Sequence, residues 1–133
     1  MTDFDREIAV RTVWMEARGE GSDGMRAVAS VLANRLADGR WGANLVAVCL
    51  APLQFSCWNS SDPNRVAMAR LADDDALLFE ARQLVELALS GRDDPTDGAT
   101  HYYADTMTRP PDWTAAARFT VQIGHHRFHK NVP

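Results

Sequence analysis

The sequence is poor in cysteine: it has two, Cys49 and Cys57, eight positions apart. Two cannot build a disulfide framework, and their spacing is not the paired spacing of a zinc ribbon. Two buried free thiols are expected, with one local disulfide as the alternative. Long apolar runs are also missing, since Arg, Asp or Glu interrupts each one well before the roughly eighteen residues that would span a bilayer. No basic stripe exists, and a formal charge of -4 with mixed signs argues against a nucleic-acid partner. No repeat, low-complexity tract or linker divides the chain, so residues 1–133 are expected to form a single domain. The start, Met1-Thr2-Asp3-Phe4-Asp5-Arg6-Glu7, has acids where a secretory leader would have a basic segment and an apolar run.

What is present is ordinary globular composition, 46% apolar and 24% charged over 133 residues. A chain of this size buries about two thirds of its unfolded surface without staples. Phe4, Ile8, Arg11 and Met15, with a second line at Val10, Val13, Trp14 and Ala17, predict a helix from about Asp3 to Arg18, stopped by Gly19 and Gly21. Ser22 and Asp23 offer cap chemistry for a second helix whose apolar positions run from Met25 to Leu36 and which ends at Asp38-Gly39. The stretch from Trp41 to Asn64 reads as a loop with at most one short helix near Ala43 to Cys49. Asp73 to Asp75 are expected to cap a third helix, with Leu77, Leu78, Ala81, Leu84, Val85 and Ala88 as its apolar face. Strands are expected at Ala99 to Ala104, Arg118 to Gly124 and His125 to Lys130. Helices first and strands last predict an α+β fold, a mainly helical lobe of about three helices on a small antiparallel sheet.

Glu16 falls in the last turn of the first helix, where the negative end of the macrodipole and the apolar surface of Trp14 and Met15 both push its pKa upward. A raised pKa is what a carboxylic acid needs to protonate a glycosidic oxygen near neutral pH. Glu20, four residues on, would lie roughly 6 Å away on a continued helix, a separation compatible with a glycosidase carboxylate pair unless Gly19 turns it aside. Arg18 could hold one of the two ionised. The plainer alternative is a solvated helix end with surface ion pairs.

The stretch Trp14-Met15-Glu16-Ala17-Arg18-Gly19-Glu20-Gly21, followed by Gly24-Met25-Arg26-Ala27-Val28-Ala29-Ser30-Val31-Leu32-Ala33-Asn34-Arg35, resembles the core motif of the SleB/CwlJ-type cell-wall hydrolases, which include spore-cortex-lytic enzymes and phage lysins. Further similarities follow in the family's order: Leu53-Gln54-Phe55-Ser56-Cys57-Trp58-Asn59, Asp94-Pro95-Thr96-Asp97-Gly98-Ala99-Thr100-His101-Tyr102-Tyr103, Pro111-Asp112-Trp113 and Ile123-Gly124-His125-His126-Arg127-Phe128. The resemblance spans nearly the whole chain. It implies a lysozyme- or transglycosylase-like groove and cleavage of the MurNAc-GlcNAc glycan strand of peptidoglycan by a lytic transglycosylase or muramidase. The first glutamate of the Glu-Ala-Arg-Gly-Glu motif, here Glu16, would be the catalytic acid, and Glu20 an assisting carboxylate or a motif-stabilising one.

Gln54, Phe55, Ser56, Trp58 and Asn59 combine flat apolar faces with amides, which suits sugar stacking and N-acetyl recognition; core aromatics and turn-formers are the alternative. His101, Tyr102 and Tyr103 on a strand would alternate between groove and core, with one tyrosine hydroxyl near the reacting carbon. His125, His126 and His129 lack a His-Glu-x-x-His motif, and a strand would put only His125 and His129 on one face, so neither a metal nor another cofactor is expected. The expected partner is the peptidoglycan glycan strand, with no nucleic acid, no membrane insertion and a monomeric state. Without a leader in these residues, release through a holin is one expected route to the wall. The rivals are a zinc-dependent N-acetylmuramoyl-L-alanine amidase and a non-catalytic peptidoglycan-binding domain.

Overall fold

The computed structural model describes residues 1–52, 54–72 and 75–133. Its first element, α1 (Asp3–Ala17), starts at a capping box: the Thr2 hydroxyl accepts the Asp5 N–H while the Asp5 carboxylate accepts from the Thr2 backbone N–H. Asp5 also accepts the Val46 N–H at 3.2 Å, so the start of α1 holds the start of α3 (Leu45–Leu50). Ile8 to Met15 are buried except Arg11, which makes α1 the central helix rather than a surface one. Phe4, expected on its apolar line, is 63% exposed.

A 3-10 turn at Arg18–Glu20 leads directly into α2 (Gly21–Asp38). The expected cap at Ser22 and Asp23 does not form. The helix begins at Gly21 with Glu20 in the capping position and no side-chain cap, because the turn leaves no extended residue ahead of it, and the Ser22 hydroxyl hydrogen-bonds Glu80 instead. At its other end Gly39 takes φ +86 and returns its N–H to the Arg35 carbonyl.

Between Trp41 and Asn64 the chain is more regular than its Pro, Asn and Ser content suggested. After α3 comes a 3-10 turn at Ser56–Trp58, then α4 (Pro63–Ala69), capped by Asp62 with Pro63 in the first turn. The following helix, α5 (Ala76–Leu89), is capped by Asp75, whose carboxylate accepts the Leu77 and Leu78 N–H groups; Asp73 and Asp74 lie outside the described residues. Leu78, Ala81 and Val85 are its buried face, whereas Leu77, in the first turn, is exposed. The α-helices among the described residues are thus the three long ones expected, the short one allowed near Ala43 to Cys49, and α4, which was not expected.

The strands β1 (His101–Ala104), β2 (Arg118–Ile123) and β3 (His126–Lys130) form an antiparallel sheet in the order β1-β3-β2. The β2–β3 pairing skips a residue between Phe119 and Val121. His125 belongs to the turn rather than to β3, which separates it from the face that carries His129. Phe128 is fully buried with Ala27 and Val31 of α2 and Ala99, and Val121 and Ile123 pack beside them. The sheet thus lies on α2, while α1, α3 and α5 share the larger core on the other side.

The turn before β1 is fastened to α2 through Asp94. Its carboxylate accepts the Thr96 and Gly98 N–H groups, the Thr96 hydroxyl and the Asn34 amide. Asn34 also donates to the Ala99 carbonyl at 2.9 Å. This places β1 so that its side chains reach toward the end of α1. No described helix is long and apolar enough to cross a membrane.

Candidate active site

Where the end of α1, the Ser56–Trp58 turn and β1 meet, a cavity of about 560 Å³ opens. Glu16 contributes its carboxyl from the penultimate position of α1, and among the described residues no other carboxylate lines the space. Burial raises the Glu16 pKa; hydrogen bonds from Cys57 and Tyr102 oppose the rise, the Asp62 charge adds to it, and the Arg35 charge lowers it, with a raised value as the outcome. A carboxylic acid that keeps its proton beyond the usual range can act as a general acid.

Tyr102 leans from β1 toward Glu16. Burial and the Glu16 charge hold its pKa well above the ordinary tyrosine value, so it remains a neutral hydroxyl able to donate. Its strand neighbours, His101 and Tyr103, also line the cavity. The His101 ring lies between Trp41 and Trp113, with centroids at 5.5 and 5.1 Å, and its Nδ1 is 2.8 Å from the Thr100 hydroxyl. Burial, together with the Arg35 and Arg40 charges, pushes its pKa down to about 4, which keeps the imidazole neutral. The Tyr103 hydroxyl accepts from Arg127 at 3.1 Å, and its ring meets Trp113 edge-on.

Gln54, Phe55 and Ser56 line the same cavity from the opposite wall. With Trp58 and Asn59 they also line an adjoining hollow of about 880 Å³, so this segment runs along a continuous surface. Phe55 is 6% exposed and belongs to the core as well as to the wall. Trp58 turns its indole N–H inward to Thr12 at 2.9 Å, an anchoring role that leaves its ring half-buried.

Glu20 does not line the cavity. The 3-10 turn carries it toward the β2–β3 turn, where its carboxylate accepts the His125 N–H at 3.1 Å. Among the described residues Arg18 is likewise on no carboxylate: its guanidinium lies 4.1 Å from the Trp14 ring centroid and donates to the Met15 carbonyl.

The cation near Glu16 is Arg35, which sequence reasoning passed over although it ends the Asn34-Arg35 pair of the α2 motif. It is 4% exposed, donates to the Thr100 carbonyl at 2.7 Å and to the Gln54 side chain at 2.8 Å, and lies against Trp41 and Phe55. Burial lowers its pKa to about 10, so it stays charged at neutral pH. Trp113, carried by the 3-10 helix Asp112–Ala116, closes one side of the cavity and, like Ala104, Met107, Pro111 and His126, is a lining residue not foreseen for the site; a lone aromatic in a Pro-rich stretch was its sequence signature. Cys49 and Cys57 are both buried free thiols.

Among the described residues no three His, Cys, Asp or Glu side chains converge as metal ligands. His125 is exposed and 3.4 Å from Asp105, His126 sits beside Tyr102, and His129 is enclosed by Trp113, Tyr103 and Phe119 on the opposite sheet face.

Residues 19–129 match the cell wall hydrolase family. The chain belongs to that family. A similar cell wall hydrolase is the spore cortex-lytic enzyme of Halalkalibacterium halodurans, 33% identical over 131 residues; the alignment covers 96% of this chain but only 35% of that relative. Among solved structures, the catalytic domain of the germination-specific lytic transglycosylase SleB from Bacillus anthracis superposes with a TM-score of 0.73 at 26% identity, covering 98% of this chain and 97% of that one. The catalytic domain of the Bacillus cereus SleB protein gives 0.74 at 27% identity, covering 97% and 91%. The arrangement of helices on a small three-stranded sheet is therefore that of these SleB catalytic domains.

Proposed function

We propose that this chain, as one monomeric catalytic domain over residues 1–133, cleaves the MurNAc-GlcNAc glycan strand of peptidoglycan as a lytic transglycosylase, with Glu16 as general acid and base. The observation that carries the reading is a single carboxyl with a raised pKa, set in a cavity whose other described lining residues include no second carboxylate. A hydrolase of the two-carboxylate kind needs a second acid to activate water or to attack the sugar. A transglycosylase needs one group used twice.

In the forward step Glu16 gives its proton to the glycosidic oxygen as the bond from that oxygen to the muramyl anomeric carbon breaks. The resulting carboxylate then takes the proton of the muramyl 6-hydroxyl while that oxygen bonds to the anomeric carbon. A 1,6-anhydro end forms, no water is consumed, and Glu16 is again protonated. Tyr102, as a neutral donor, steadies the carboxylate between the two transfers. Gln54, Ser56 and Asn59 supply polar contacts, and Phe55, Trp58, His101 and Tyr103 supply flat faces for the sugar rings. Glu20 acts by holding the β2–β3 turn rather than by touching the glycan.

Digestion of purified sacculi by wild type and Glu16→Gln, followed by mass spectrometry of the soluble products, tests this. Fragments one water lighter than hydrolysis products, absent with the variant and unaffected by EDTA, are expected. Fragments carrying the extra water would instead mean a muramidase. Free stem peptides lost on chelation, or full activity in the variant, would overturn the reading.

A further inference from the structure

We propose that Arg35 is a positioning residue that holds the Gln54 amide with its amino end toward the cavity, and that this end makes Gln54 selective for an N-acetyl carbonyl oxygen of the glycan. The proposal rests on that cavity taking the glycan strand. The Arg35 Nη1 donates to the Gln54 Oε1 at 2.8 Å. A guanidinium carries donors only, so the amide atom facing it is the oxygen, and the Nε2 hydrogens are left over. Among the described residues nothing accepts them, and Gln54 is exposed on the cavity wall. The flipped amide would set donor against donor and put an acceptor in the cavity, so the guanidinium fixes the polarity of this wall as well as its shape. An amino end that offers hydrogens and takes none fits a carbonyl oxygen and rejects the ammonium of a free amine.

Arg35 is itself immobile. Its Nε donates to the Thr100 carbonyl at 2.7 Å, the Trp41 and Phe55 ring centroids lie 4.4 and 5.2 Å from its guanidinium carbon, and the residue is buried. With Nε and Nη1 committed to protein oxygens, recognition falls to the amide they fix. Gln54 in turn precedes Phe55, which is anchored in the core, so both partners of the hydrogen bond are held before any ligand arrives. Gln54, Phe55 and Ser56 line both the cavity that holds Glu16 and the adjoining hollow, so the amide stands where the two meet. A ring beside the cleaved bond passes this point, and the acetamido carbonyl is a substituent that both sugars of the strand carry.

The test measures kcat/KM for fragment release from N-acetylated sacculi and from the same sacculi after enzymatic N-deacetylation, and takes the ratio of the two. Effects on Glu16 that act on both substrates alike cancel in that ratio. Gln54→Met, which keeps the length and drops the donor, is expected to lower it about five- to tenfold, from the usual worth of one hydrogen bond. Gln54→Glu keeps an oxygen for Arg35 but faces the cavity with an acceptor, and should lower it further. Arg35→Lys frees the amide to turn, so its ratio should approach that of Gln54→Met and fall no further when the two are combined. Wild-type ratios in the folded Gln54 variants would overturn the proposal, because a plain wall residue slows both substrates alike. A ratio lowered by Gln54→Met but untouched by Arg35→Lys would overturn the positioning role. Should Arg35→Lys not fold, Gln54→Met decides, since an amide free to turn would serve either substrate and its loss would leave the ratio unchanged. Products with intact glycan strands, or full activity in Glu16→Gln, would sink the underlying reading of the cavity instead, whatever the ratios.

Discussion

Glu20 and His125, 105 positions apart in sequence, are joined by a hydrogen bond from the His125 N–H to the Glu20 carboxylate. The contact ties the turn between α1 and α2 to the β2–β3 turn, and it turns the second glutamate of the motif away from the cavity that holds the first.

A Glu20→Gln variant retains an oxygen for that N–H, so near-normal turnover on sacculi is expected. Gly124 is the stricter partner. Its φ is +58, and an added Cβ would lie 2.1 Å from a Glu20 oxygen. Gly124→Ala should therefore destabilise the fold by about 1–3 kcal/mol in urea unfolding. Part of that loss should return in the Glu20→Ala, Gly124→Ala double variant, where the clash is gone and only the backbone strain persists.

Arg35 is expected to be the costliest single position near the cavity. Arg35→Ala leaves the Thr100 carbonyl and the Gln54 amide without their donor and empties the space between Trp41 and Phe55, for a loss of about 3–5 kcal/mol. Arg35→Lys keeps the charge but cannot reproduce the fork, and should recover only a fraction. Chemical denaturation of the three proteins gives the comparison.

The buried Glu16 has a folded pKa above its unfolded one, so its ionisation opposes folding. Nothing is lost below the unfolded pKa, and the penalty grows as pH rises through the folded value. Glu16→Gln should accordingly unfold at a higher temperature than wild type at pH 8, with the gain vanishing once the pH is below the ordinary glutamate range. Calorimetry at the two pH values checks the sign, and an unchanged difference would mean that the effect is not electrostatic.

For Asp94 the sign is opposite. Burial alone would raise its pKa, but the hydrogen bonds from Thr96, Asn34 and Gly98 outweigh it and leave the value lowered. Its contribution to stability is present above the unfolded aspartate pKa and is lost as pH falls through the folded one. Asp94→Asn should weaken the fold near neutral pH, and the gap from wild type should narrow in acid, as followed by thermal unfolding over a pH series.

The boundaries of α1 and α5, the C-terminal end of α2 and the presence of three strands were legible because apolar spacing repeats within each segment. α4 was missed although Asp62-Pro63 is a good helix start, because the surrounding Asn and Ser read as turn. For the site, the position of Glu16 near the end of α1 was local information, and so was the upward push on its pKa. Which strand residue would meet it was not, since alternation assigns faces but does not say what lies opposite. Arg35 reads as one more arginine on an amphipathic helix until the sheet and the Phe55 segment cover it.

By itself the sequence determined where the long helices and the strands form, that Cys49 sits within an apolar stretch, and that one glutamate ends an apolar helix. These depend on neighbours within a few residues. Only the tertiary structure decided that Glu16 faces the cavity while Glu20 faces His125, and that Arg35, Cys57 and Tyr102 gather around the first. Those contacts join segments far apart in the chain, and their partners are chosen by how α2 packs on the sheet and how the Ser56–Trp58 turn is fastened to α1.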